Sequence, residues 1–325
     1  MTQLKTTFAG LTLQNPIIVS SSGLTNSAES IKSLENAGAG AVVLKSIFEE
    51  QIAAQVEATH DYGSSEASHY LHTYIRAHAL NKHIDLIKAA KDSCSIPVIA
   101  SINCYSNNEW IDFASTMEQA GADALEINIL SLQTGKDYTY GSFEQRHIDI
   151  LRHIKKVVQI PVIIKLGNNF TNPVALINQL QANKAAGIVL FNRFYQPDFN
   201  VDKLTITNTN VMSSPTELAE RLRWTAIASA QIPTADYAVS GGIHDGQALI
   251  KVILAGASAA EICSVIYQKG TKVIKKMKEE LVQWMETHRY ETITQFKGKL
   301  NAATIGDITP FERTQFMKYF SNYEE

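Results

Sequence analysis

The sequence predicts an α/β protein built as a (β/α)8 TIM barrel, a single domain over residues 1–325. Two observations carry that expectation: eight short apolar runs, each followed by an amphipathic stretch, and a glycine or proline repeated where each new run begins.

The runs are Pro16 to Val19, Ala41 to Lys45, Pro97 to Ile102, Ala124 to Ile129, Pro161 to Leu166, Gly187 to Asn192, Tyr237 to Ser240 and Ala259 to Ser264. Their apolar residues are mostly consecutive, as strands covered by helices on both faces require. They read as parallel strands. Ala37-Gly38-Ala39, Ala120-Gly121-Ala122, Ala186-Gly187 and Ala255-Gly256-Ala257 each put a glycine where a helix must stop. Ile96-Pro97, Ile160-Pro161 and Ile232-Pro233 open the other units with a proline, whose missing N–H is harmless at a strand's first residue. A doubly wound open sheet is the alternative, but Ser20-Ser21-Ser22-Gly23 follows the first strand in place of a G-x-G-x-x-G turn.

Two connections are long, Ile47 to about Ala77 after the second strand and Arg193 to about Pro215 after the sixth. Both leave carboxyl ends of strands, where barrels place substrate loops and lids. Gln268 to His288 reads as one amphipathic helix, and the tail beyond Tyr290 as a short helical closure.

Composition narrows the partners. A net charge of -3 and a pI near 6.3 argue against nucleic acid or an anionic membrane surface. The basic run at Lys272, Lys275, Lys276 and Lys278 is followed by Glu279 and Glu280 and reads as a solvated helix face. Cys94, Cys104 and Cys263 form no C-x-x-C pair, so a reduced, cytoplasmic setting is expected. Met1 to Gly10 lacks the apolar core of a signal peptide, and no apolar run reaches the roughly 18 residues of a membrane span.

The carboxyl ends of the strands carry Ser21-Ser22-Gly23, Lys45-Ser46, Asn103, Asn128, Lys165, Asn192, Ser240-Gly241-Gly242 and Cys263-Ser264. Two lysines and three amides there need polar partners, because burying them alone is costly. Together they point to a polar ligand over the barrel mouth. Gly241 and Gly242, followed by Ile243-His244-Asp245 and a helix start, have the character of a phosphate turn, and Cys263-Ser264 would complete the cradle.

In order and context, Ser20-Ser21-Ser22-Gly23, Lys45-Ser46, Glu126-Ile127-Asn128, Lys165 and Ser240-Gly241-Gly242 resemble the class 1 dihydroorotate dehydrogenases, from Phe8 to about Leu300. The resemblance implies FMN as cofactor and oxidation of dihydroorotate to orotate in pyrimidine biosynthesis. It further implies a carboxylated small-molecule substrate and a homodimer. It would set Ser21, Ser22 and Gly23 against the flavin and ribityl chain, Lys45, Ser46 and Lys165 along the ring edge, and Asn128 at the flavin or substrate edge. Gly241, Gly242, Cys263 and Ser264 would hold the phosphate. A cation near reduced flavin is chemically apt, since two-electron reduction leaves its N1 and C2=O region anionic.

Three departures stand out. Asn128-Ile129-Leu130-Ser131-Leu132-Gln133 replaces the family's Asn-x-x-Cys-Pro-Asn run, leaving Ser131 at the base position; a serine needs a relay to act as a base. His60-Asp61-Tyr62-Gly63-Ser64-Ser65-Glu66 lacks the asparagines of the family's orotate loop. Asn192 is kept for substrate, but Arg193 follows it and would either clamp a carboxylate or lie in solvent. No metal is expected, since His69 and His72 have no nearby carboxylate; they read as lid or subunit contacts with Tyr70 and Tyr74. Trp110, Trp224 and Trp284 read as packing residues. Two other readings stay open: a flavin oxidoreductase acting on a different C–C bond, and a non-redox barrel that binds a phosphate ligand.

Overall fold

Eight parallel strands close on themselves in the computed structural model, which describes residues 2–48, 65–103, 110–306 and 308–312, the side chains of 65–76 and 110–112 excepted. They are β1 (Ile17–Val19), β2 (Ala41–Val43), β3 (Val98–Asn103), β4 (Ala124–Asn128), β5 (Val162–Leu166), β6 (Gly187–Leu190), β7 (Tyr237–Ser240) and β8 (Ala259–Ile262). The order runs β2, β1, β8, β7, β6, β5, β4, β3, and Val42 pairing with Val98 closes the ring. All eight runs foreseen from the sequence are strands of this barrel, so the (β/α)8 expectation holds.

The helices are α1 (Ala28–Asn36), α2 (Ser65–Ser93), α3 (Trp110–Gln119), α4 (Ser142–Val157), α5 (Pro173–Ala182), α6 (Leu218–Gln231), α7 (Gly246–Leu254), α8 (Ser264–Lys269) and α9 (Lys272–Thr287). In α4 the buried residues Phe143, His147, Ile148, Leu151 and Ile154 recur at three- and four-residue spacing, so one stripe faces the strands. Polar caps fix several starts: Ser27 accepts the Ser30 amide before α1, and Asp245 accepts that of Ala248 before α7.

The barrel interior follows a period of two. Ile18, Ala41, Val43, Ile99, Ala124, Ile163, Val189, Ala238 and Ala259 form one buried apolar layer. The same layer takes in Phe8 and Leu13, from an amino-terminal hairpin pairing Thr6–Phe8 with Leu11–Leu13. That hairpin stoppers the amino ends of the strands. A side chain at Gly187, the first residue of β6, would meet Phe8 Cζ at 2.9 Å and Ala9 Cβ at 3.0 Å, so the plug needs glycine there.

Three expectations need adjustment. Ser65 to Ala77, read as loop, is the first part of α2, since the run to Ser93 contains neither glycine nor proline to break it. The connection after β6 folds into an antiparallel hairpin, Pro197–Asn200 against Thr205–Asn208. The single helix expected from Gln268 to His288 is two, because Gly270 at φ +73° breaks it between α8 and α9. The amino-terminal hairpin had not been foreseen. The basic run does lie on a solvated face, with Lys275 and Lys276 about three-quarters exposed and within 3.8 and 3.7 Å of Glu279 and Glu280. Trp224 and Trp284 pack against the core, and the side chain of Trp110 lies outside the described residues.

His83 and His147 are buried, and burial holds both imidazoles down at about 4. A histidine whose folded pKa lies below its unfolded value of about 6.5 takes a proton more readily when unfolded. Its contribution is therefore intact above pH 6.5 and is lost as pH falls toward 4. Urea unfolding at pH 7 and pH 4.5 should show a histidine-dependent loss of about 2 kcal/mol for each residue, and His147→Leu should remove one of the two contributions.

Candidate active site

One step above the apolar layer, toward the carboxyl ends, the period of two brings polar residues into the interior: Ser20, Ser101, Glu126, Lys165, Ser240 and Glu261. Ser20, Lys165, Ser240 and Glu261 line the bottom of a cavity of about 820 Å³ at the barrel mouth, in the size range of cofactor clefts, while Ser101 and Glu126 are buried in the same layer. Asn103, Asn128, Asn192, Lys45, Ser21 and Gly241 are among the residues higher on its wall.

Lys165 reaches across the barrel. Its Nζ donates to Glu261 Oε2 at 2.5 Å, to Ser20 Oγ at 3.0 Å and to Glu126 Oε1 at 3.5 Å, all of them buried. Ser20 Oγ also donates to Glu261 Oε2 at 3.1 Å. Burial would lower the ammonium's pKa, but the two carboxylates outweigh it and raise it above the usual lysine value. The carboxyls divide. Burial, then the charge of Glu261, pushes Glu126 well above the ordinary range. Burial pushes Glu261 the same way, but Lys165 and the hydrogen bonds from Glu126, Lys165 and Ser20 hold it below.

Amides and hydroxyls continue the network upward. Asn128 Nδ2 donates to Ser101 Oγ at 3.1 Å, and Asn128 Oδ1 accepts from Asn192 Nδ2 at 3.0 Å. Ser46 Oγ lies 2.7 Å from Ser101 Oγ and 3.0 Å from Ser21 Oγ, so the ends of β1, β2, β3, β4 and β6 are tied together. Lys45 is exposed at the rim. Among the described residues no carboxylate pairs with it.

The opposite wall is a turn. Gly241 and Gly242 have φ of +94° and +77°. A Cβ on Gly242 would sit 2.5 Å from Leu218 N, and one on Gly241 2.8 Å from Arg221 Nε, so glycine is required by conformation and by space. Arg221 secures the turn, donating from Nε to Ser240 O at 3.0 Å. Among the described residues the amides of Gly241 and Gly242 meet no acceptor. Cys263 and Ser264 complete this wall; burial pushes the Cys263 thiol up, against a hydrogen bond from Ser22.

Most of the residues singled out in the sequence thus converge on one cavity: Ser21, Ser22, Gly23, Lys45, Ser46, Asn128, Lys165, Asn192, Gly241, Gly242, Cys263 and Ser264. Three details differ. The start of α7 is already capped by Asp245, so its dipole is not offered to an anion at the glycine turn. Arg193 lines the cavity, but its guanidinium is already engaged: it donates to Val211 O at 2.5 Å, Asn210 O at 3.1 Å and Glu217 Oε2 at 3.2 Å. It ties down the hairpin connection instead. Ser131 is half-buried beside the cavity rather than among its lining residues, with Gln133 Nε2 donating to its Oγ at 3.1 Å. The orotate-loop segment His60 to Ser64, the side chains of Ser65, Glu66, His69, Tyr70, His72 and Tyr74, and Cys104 lie outside the described residues.

Glu261 was missed in the sequence. It sits inside an otherwise apolar run, and only its parity with Ala259 and Cys263 marks it as inward-facing.

A parallel barrel whose carboxyl-end mouth joins a buried cation, an amide cluster and a glycine turn is the frame of a barrel enzyme. The chain belongs to the dihydroorotate dehydrogenase family, whose model matches residues 3–285. It is 28% identical over 303 residues to a dihydroorotate dehydrogenase B (NAD(+)) catalytic subunit of Thermoplasma volcanium, covering 92% of this chain and 98% of that one. A protein of the same description from Methanocaldococcus jannaschii is 26% identical over 87% of this chain and 94% of its own. A putative dihydroorotate dehydrogenase A (fumarate) of Aeropyrum pernix is 24% identical over 93% and 98%.

Removing Lys165 leaves the floor without its cation. Lys165→Met should destabilise the protein by about 3–5 kcal/mol at pH 8. Without the ammonium, Glu261 has no reason to ionise, so the variant's stability falls as pH rises and its deficit narrows toward pH 5. Chemical denaturation of both proteins across that range checks the magnitude and the sign.

Proposed function

We propose that the chain oxidises dihydroorotate to orotate in pyrimidine biosynthesis, with FMN seated at the barrel mouth. The observation that carries this reading is the convergence of the strand-end residues on one cavity of about 820 Å³ with a cation in its floor and a glycine turn on its far wall.

The residues fit the cofactor. The amides of Gly241 and Gly242, with Ser264 and the backbone at Cys263, would hold its phosphate. Ser21, Ser22 and Gly23 would meet the ribityl chain and ring, with Lys45 and Ser46 along its edge and Lys165 below. When bound, FMN supplies the two-electron acceptor.

The chain's own residues must orient the substrate and take a proton. Asn128 and Asn192 already hold each other at 3.0 Å, and each keeps polar capacity for a planar ring edge. Oxidation of a CH–CH bond removes a hydride and a proton, and Ser131 Oγ is the group we assign to the proton. Its position beside the cavity means the loop from Leu130 to Gln133 must close before it can act. A serine passing its proton to solvent also gives a rate that rises with pH. Arg193 serves the reading as a brace for the lid rather than as the carboxylate clamp.

Purified protein should be yellow, and dihydroorotate should bleach it anaerobically. Colourless protein that gains no flavin on incubation with FMN would sink the cofactor assignment. A yellow protein bleached by other dihydropyrimidines or enoates but not by dihydroorotate would move the activity to a different C–C bond.

A cytoplasmic homodimer belongs to the same proposal. No described helix is long and apolar enough to cross a membrane. Phe199, Val201, Leu204 and Ile206 on the hairpin after β6 are each at least 70% exposed, and a second subunit would cover them. Sedimentation should give twice the chain mass, and Ile206→Asp should shift it toward the monomer.

A further inference from the structure

Lys165 is not an unclaimed cation. Its three N–H bonds go to Glu261 on β8, Ser20 after β1 and Glu126 on β4, and none is left over for a ligand above. Two carboxyls therefore share one ammonium at the centre of the barrel. Both are shut off from water, with side chains 1% exposed.

Counting charges decides the state of this layer. Two ionised carboxylates against one ammonium would leave a net negative charge buried, which is strongly unfavourable. Among the described residues, Glu126 Oε2 and Glu261 Oε1 are buried and accept no hydrogen bond. An ionised carboxylate with an oxygen left bare in the interior is costly, so a proton on one of the two is the state that one ammonium can balance. Lys165 lies closer to Glu261, which also accepts from Ser20 Oγ, and these two donors outweigh the one long contact of Asn128 Nδ2 to Glu126 Oε1 at 3.4 Å, so the resting proton belongs to Glu126.

We propose that Glu126 and Glu261 act as one acid pair holding a single proton, which cancels the charge of Lys165 and leaves an electrically neutral floor beneath the bound flavin. The pair is a positioning element: it anchors the ammonium and sets how strongly the floor favours a reduced, anionic ring. Removing one carboxyl lets the other ionise and take over the ion pair. Removing both leaves Lys165 uncompensated. Among the described residues, the other charged groups lining the cavity are Lys45 at the rim and Arg193, whose guanidinium is held by Asn210 O, Val211 O and Glu217.

The part that concerns flavin potential rests on the FMN reading above; the shared proton does not. Infrared difference spectroscopy of apo-protein near neutral pH tests the proton directly. The carbonyl stretch of a buried protonated carboxyl should be present in the wild-type protein and disappear both in Glu126→Gln and in Glu261→Gln, because the remaining carboxyl ionises in each. Each single variant keeps an ion pair and should fold. A band that is absent from the wild type, or that survives in Glu261→Gln, overturns the proposal whether or not flavin binds. In the holoenzyme, potentiometry should place both single variants close to wild type. The double variant should hold reduced over oxidised FMN at least tenfold more strongly, a rise of about 30 mV for a two-electron couple. A full shift in Glu261→Gln alone, or none in a folded, flavin-loaded double variant, also overturns it.

Discussion

The ion pair between Lys165 and Glu261 spans the barrel from β5 to β8 and is the constraint around which the upper half of the molecule is arranged. A buried ammonium is tolerable only if every N–H is met and its charge is balanced. Ser20 and Glu126 supply the remaining partners, and Asn128 then stands beside Glu126. From Asn128 the network passes to Ser101, Ser46 and Ser21 on one side and to Asn192 on the other. The positions of five strand ends are thereby linked to one charge.

Below that layer the interior changes character within two residues. Ile163 and Lys165, Ala124 and Glu126, and Ala259 and Glu261 are neighbours on the same inward face, apolar beneath and ionisable above. The apolar layer with its hairpin plug supplies burial, about 25 cal/mol for each square ångström removed from water. The polar layer gives some of that stability back in exchange for chemistry. Conversely, the low-dielectric base is what makes the charges above it strong, because no water reaches them from the amino end.

The barrel was legible in the sequence because eight consecutive apolar runs with repeated punctuation have few other solutions. The site was legible as far as strand ends could be located: Lys45, Asn128, Lys165, Asn192 and the Gly241–Gly242 turn all arrive at one cavity. Glu261 was hidden because a single carboxylate in an Ala-Ala-Glu-Ile run looks like an interruption, and its partner lies 96 residues away in sequence. Arg193 was misread for a related reason. Its partners, the carbonyls of Asn210 and Val211 and the carboxylate of Glu217, depend on how a hairpin returns to the barrel, which local pattern does not specify. The two hairpins were missed because three- and four-residue strands give too little alternation to separate from loop.

Among the described residues, the plug formed by Phe8 and Leu13 stoppers the barrel at its amino end and leaves the opposite end open. Whatever touches the charged floor arrives and departs through the carboxyl-end mouth, past Lys45 and the strap secured by Arg193. Two ligands that both need the floor must share that mouth, one leaving before the next can enter.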